Sequence, residues 1–203
     1  MPFNISEFKS VMNKHGGPAR TSLFEVEISD TSIDGTPIGG GGITKSDLRF
    51  FCQSVSVPGV NLETTPYRPS GVGFPESMVM SSSPDTLNCV FLLDSDHRVL
   101  TFFHNWITSV SNVSGRGGTN ARGLPMHQIE YKSSYAATSM TVRHYSTHDP
   151  FNAYEFRYLE VYPTQASPID LAWSNKDAPA TMTVNFSYAK LDYQGFSSQT
   201  FSR

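Results

Sequence analysis

The sequence predicts a mainly β protein, an antiparallel β-barrel or sandwich with one flanking amphipathic α-helix. Three observations carry that reading. Residues 181–188 alternate strictly, with Met182, Val184, Phe186 and Tyr188 opposed to Thr181, Thr183, Asn185 and Ser187. That is the period of a half-buried strand. Residues 94–110 repeat instead at helical spacing, placing Val99, Phe102, Phe103, Trp106, Ile107 and Val110 on one side. Finally, 15 Gly and 13 Pro in 203 residues punctuate the chain too often for a helical bundle. Burying one large apolar side chain is worth roughly 1.5–3 kcal/mol, but only against a partner surface. No second helix of similar quality exists, so the partner must be a sheet.

The elements follow in order. Ser6 can cap a short helix through Glu7, Phe8, Val11 and Met12, stopped at Gly16-Gly17-Pro18. Its thin apolar face predicts docking on something else. Residues 22–29 read as a strand, with Phe24, Val26 and Ile28 inward and Leu23, Glu25 and Glu27 outward. Residues 48–57 read as the next strand, closed by Pro58-Gly59. Residues 86–93 form a strand leading into the central helix, whose start is marked by Asp94, Ser95 and Asp96. Strands follow at 139–145 and at 154–162, the latter ending at Pro163, then at 169–173 and 181–188. One domain over residues 1–203 is expected, with long loops at about 30–47, 59–77 and 111–130.

The loops and the charge balance narrow the function. Gly39-Gly40-Gly41-Gly42 is followed by Ile43-Thr44-Lys45-Ser46 and a strand, which is not a phosphate-cradling loop. Gly115-Arg116-Gly117-Gly118 likewise lacks a strand-to-helix setting. Residues 61–77 interleave Pro66, Pro69 and Pro75 with Tyr67, Arg68 and Phe74. Aromatics and arginine of this kind carry interface energy when desolvated, so Tyr67, Arg68 and Phe74 are the candidate contacts to another subunit. With 15 Lys and Arg against 18 Asp and Glu, the chain is not built to grip phosphate backbones. His144 and His148 lie four apart without helical or HExxH context, and there is no GxSxG elbow. No catalytic, cofactor or metal site is expected. Cys52 and Cys89 read as buried free thiols. No stretch approaches about 20 apolar residues and no signal-type run opens the chain, which predicts a soluble protein made in the cytoplasm.

Several pieces, spread in order over nearly the whole length, resemble the tail tube proteins of contractile-tailed bacteriophages and their baseplate relatives. They are Gly16-Gly17-Pro18-Ala19-Arg20 before a strand, and Phe50-Phe51-Cys52-Gln53-Ser54-Val55-Ser56-Val57-Pro58-Gly59. Next come Phe102-Phe103-His104-Asn105-Trp106, Tyr131 with Tyr135, Tyr162-Pro163-Thr164, Trp173, and Val184-Asn185-Phe186-Ser187-Tyr188. The chain departs from that pattern at Gly39–Gly42, at Gly115–Gly123 and past Leu191.

This resemblance implies a non-enzymatic structural subunit. Six copies would form a ring, and rings would stack into a tube inside a contractile sheath. Genomic DNA would pass down the lumen without specific binding, and no cofactor is implied. Partners would be further copies of the chain, the tail sheath protein, and the baseplate and tail-terminator proteins. The location would be the virion tail, assembled in the host cytoplasm. Glu25 and Glu27 are the candidate lumen residues, because an acidic lining does not trap phosphates. The alternatives are a baseplate tube initiator or, in another class, a carbohydrate-binding jelly-roll surface protein.

Overall fold

In the computed structural model the central helix runs Arg98–Val110. The structure describes residues 4–14, 16–29, 32–33, 36–37, 43, 45–68, 71, 73–111, 128–147, 153–169, 172 and 178–194. The elements are α1 (Ile5–Lys14), β1 (Phe24–Ile28), β2 (Ser32–Ile33), β3 (Thr36–Pro37), α2 (Lys45–Phe51), β4 (Cys52–Ser56), β5 (Val60–Tyr67) and β6 (Glu76–Pro84). They continue with β7 (Leu87–Leu92), α3 (Arg98–Val110), α4 (Lys132–Tyr135), β8 (Ala137–Tyr145), β9 (Ala153–Ala166), β10 (Thr181–Ser187) and β11 (Lys190–Gln194).

One antiparallel seven-stranded sheet organises the fold, in the order β1-β8-β9-β10-β7-β4, with β11 also on β9. The long β9 joins two halves: residues 155–159 pair with β11, and residues 162–166 with β10. Both halves feed a single core holding Val26, Met140, Tyr158, Phe91, Val184 and Phe186. Among the described residues the sheet ends at β1, β4 and β11 without closing into a barrel.

The helix α3 caps that core as its periodicity requires. Val99, Phe103 and Trp106 are fully buried and Phe102 nearly so. The Phe103 ring lies 4.7 Å from Phe91 and 6.1 Å from Phe186, and the Trp106 ring lies 6.0 Å from Phe186. Trp106 Nε1 donates to the Tyr135 carbonyl at 2.8 Å, so its one polar atom is satisfied. Ile107 and Val110 are only half-buried, and Ser109 takes a core position by donating to the Trp106 carbonyl at 2.6 Å.

The helix start is unusual. His97, at the cap, is left-handed (φ 56°) and supplies no side-chain cap. Asp94 does that work from further upstream, accepting from the Val99 N–H at 3.1 Å. Desolvation pushes the Asp94 carboxyl up, but hydrogen bonds from the Val99 and Arg98 amides and the Arg98 charge carry it below its ordinary value.

Four expectations are corrected. Residues 45–51 are helical, and the strand expected over 48–57 begins only at Cys52. Leu48 is buried and Phe51 half-buried while Phe50 is 72% exposed, which is helical spacing on a short apolar run. The segment 61–77, read as a loop, lies largely in a hairpin of β5 and β6. The strand expected to stop at Pro163 runs on to Ala166, and the register against β10 shifts beside that proline. The strand expected over 154–162, whose sequence sets Phe156, Tyr158 and Glu160 against Arg157, Leu159 and Val161, also fails to alternate, because Glu160 is left-handed (φ 54°) and both Tyr158 and Val161 are buried. The stretches Gly39–Gly42, Gly115–Gly123 and 173–177, with Trp173, lie outside the described residues.

Candidate assembly site

The hairpin β5–β6 is the most exposed structure in the chain. Every residue of β5 is exposed, and Tyr67 and Phe74 at its far end are 50% and 97% exposed. Arg68 sits beside them, also exposed. The three residues expected to contact a neighbour are thus gathered at one tip, which turns through Gly71 (φ 70°) and Gly73 (φ 110°). The sequence explains the strands: Val60, Thr64, Thr65, Tyr67 and Val79 favour extended backbone. Among the described residues none of β5 is buried. An isolated two-stranded ribbon is marginal in water.

Glu25 and Glu27 belong to a second surface, the outer face of β1, β8 and β9. Cross-strand register sets Glu25 beside Arg143 and Arg143 beside Glu155. Arg143 pairs with Glu155 at 2.7 Å, with Glu27 at 2.5 Å and with Glu25 at 3.8 Å. Arg49 of α2 reaches Glu25 at 3.1 Å, and the Tyr145 hydroxyl donates to Glu25 at 2.7 Å. Desolvation opposes the Arg143 charge, but hydrogen bonds to Glu155 and Glu27 outweigh it and hold the guanidinium firmly protonated. Burial and the same Glu25 contact push the Tyr145 phenol up. The carboxylates are therefore largely neutralised: three glutamates face two arginines in one network. Sequence reasoning missed Arg49, Arg143 and Glu155. Strand pairing brings Arg143 to Glu25 and Glu155 to Arg143, and the packing of α2 on β1 brings Arg49 to Glu25.

The His144 Nε2 lies 2.9 Å from the Arg20 carbonyl, and His148 falls outside the described residues. Among the described residues no cluster of three His, Cys, Asp or Glu could hold a metal. Cys52 and Cys89 are free thiols; a hydrogen bond with Cys52, then burial, push the Cys89 thiol up and keep it protonated. No described helix is long and apolar enough to cross a membrane.

The described residues thus form an antiparallel β scaffold with open edges and an exposed ribbon. Residues 19–194 match the family described as phage tail tube protein, most of the 203-residue chain. The chain belongs to that family, and with it to the structural components of tail-type assemblies rather than to enzymes. No curated protein sequence gives a significant match.

Among solved structures, the chain is similar to the sheath/tube terminator of an extracellular contractile injection system, PVC, in its extended state. Identity is 15%, with 88% of this chain and 97% of that chain covered and a TM-score of 0.57. The sheath-tube complex of the same system gives 14% identity, 95% and 99% coverage and a TM-score of 0.57. The tube-terminating cap of the anti-feeding prophage gives 12% identity, 88% and 91% coverage and a TM-score of 0.56. At such identities these likenesses establish the fold.

Proposed function

We propose that the chain is the repeating subunit of a contractile tail tube. Six copies close into a ring, the rings stack, and genomic DNA passes along the lumen. The observation that carries this reading is the bare β5–β6 ribbon with Tyr67, Arg68 and Phe74 at its tip. A ribbon without a core of its own gains stability when a neighbouring copy covers it. The unpaired edges of β1 and β4 favour lateral pairing in the same way. Solved neighbours come from sheath-tube, baseplate and terminating assemblies, which supports a sheath, a baseplate and a terminator as partners.

On this reading the face bearing Glu25, Glu27, Arg143 and Glu155 lines the lumen. Three carboxylates against two guanidiniums leave a weakly acidic surface whose cations are already paired. Such a lining neither repels DNA strongly nor traps its phosphates.

Negative-stain microscopy of the purified protein tests the proposal. Six-fold rings that stack into hollow tubes are expected. Rings that never stack would replace the tube subunit with a tube initiator or terminator, and a monomer at high concentration would reject both. DNA retained by assembled tubes at moderate salt would reject the lumen assignment.

A further inference from the structure

The N-terminal helix and the ribbon each present an apolar face to solvent. In α1, Ile5, Phe8, Val11 and Met12 fall within about a third of the helical circumference at 100° per residue. No residue of α1 is buried; Ile5 is 60% and Val11 51% exposed, and Phe8 is 52% exposed. The opposite side carries Ser6, Ser10 and Lys14.

Across the ribbon, the register puts Val60, Leu62 and Val79 on one face, together with Ser82. The other face holds Asn61, Glu63, Thr65, Met78 and Ser81, and Ser81 donates to Glu63 there at 2.6 Å. At the base of the apolar face opens a cleft of about 410 Å³, lined by Val60, Ser82, Tyr188, Lys190, Leu191 and Tyr193. Val60, Leu62 and Val79 are 59%, 53% and 57% exposed, so the apolar strip runs uncovered from the cleft along the ribbon.

We infer that α1 of one copy seats in this cleft on a second copy and lies along the apolar face of its ribbon. Ten helical residues span about 15 Å, and the eight residues of β5 about 26 Å, so the helix fits within the ribbon's length. Charge favours the pairing as well. Glu7 flanks the apolar stripe where Lys190 edges the cleft. Each copy offers both halves, so the contact is head-to-tail and propagates from copy to copy. The inference rests on the tube-subunit reading and names which element of a neighbour covers the ribbon.

The experiment places p-benzoylphenylalanine at Val11 in unlabelled copies, mixes them with ¹⁵N-labelled unsubstituted copies, and illuminates the assembled particles. Links from unlabelled probe to labelled residues 59–62, 78–82 or 188–193 are expected by mass spectrometry. A Val11→Glu variant, altered at an exposed position, should melt like the parent subunit yet need at least a tenfold higher concentration to assemble. Links confined to the same copy, links to another surface, or unchanged assembly of Val11→Glu would overturn the inference while leaving the tube reading intact. An unsubstituted chain that never assembles would overturn both.

Discussion

The α3 cap and the β5–β6 ribbon spend similar kinds of residue in opposite ways. In α3, Phe102, Phe103 and Trp106 are packed into the chain's own core. In the ribbon, Val60, Leu62, Tyr67, Phe74, Val79 and Met80 all face solvent. The aromatic residues of the first region are answered within the subunit, whereas among the described residues the second has register but no covering layer. On the proposed function the contrast separates what folds the subunit from what assembles it, and substitutions in the two regions should divide accordingly.

The largest effect on folding belongs to Trp106. Truncating a fully buried aromatic costs roughly 3–5 kcal/mol, and Trp106→Ala also leaves the Tyr135 carbonyl without its donor. Thermal melting of the unassembled subunit should show a loss of that size. A melting temperature close to the parent's would mean that α3 is not the core's lid.

Asp94→Ala should cost about 1 kcal/mol, the usual worth of a helix cap. The sign of its pH dependence follows from the lowered carboxyl. Asp94's contribution is full above its ordinary value of 3.8 and fades as pH falls through the lower folded value. Parent and variant should therefore differ at neutral pH and converge in strong acid. A gap that persists there would place the effect elsewhere.

Tyr158 sharpens the comparison from inside the core. Its ring is fully buried, and its hydroxyl has no partner among the described residues. Desolvation, reinforced by Tyr188, pushes the phenol up. An unpaired buried hydroxyl costs about 1–3 kcal/mol, so Tyr158→Phe should stabilise the subunit by about 1 kcal/mol in a denaturant titration. Destabilisation would reveal a partner for that oxygen.

The folding region was the more legible of the two in sequence. The stripe from Val99 to Trp106 and the alternation from Met182 to Tyr188 each report their own burial, because period and face are local properties. The structure departed from the sequence where local and tertiary signals diverge. Leu48 and Phe51 sit three apart in a run too short to separate helix from strand. Glu160 turns left-handed inside β9 and switches its inward face, which no residue type announces. Among the site residues, Tyr67, Arg68 and Phe74 were visible as interface types, but the hairpin beneath them was hidden by Pro66 and the glycines. Glu25 and Glu27 were visible as an outer face. Their arginine partners, 24 and 118 positions from Glu25, were not, because only the packing of α2 on β1 and the pairing of β1 with β8 assemble the network.

The smallest effect on folding, and the most complete on assembly, should come from shortening the ribbon. Glu63 pairs with Ser81 across it, so a short Gly-Ser link in place of residues 63–81 removes the tip in register and keeps the base at Val60, Leu62 and Ser82. None of the described residues removed belongs to the buried cluster that holds the subunit together. Circular dichroism and melting should match the parent within about 0.5 kcal/mol, as for exposed substitutions away from the core. Tyr67, Arg68 and Phe74 leave with the tip, and on the proposed function they supply the contact between stacked rings. The shortened protein should sediment as a subunit or a single ring at concentrations where the parent forms tubes. Tubes of normal length from this variant would show that the ribbon is dispensable for stacking. A collapse of the fold would show that its strands stabilise the subunit after all, and the division between the two regions would fail.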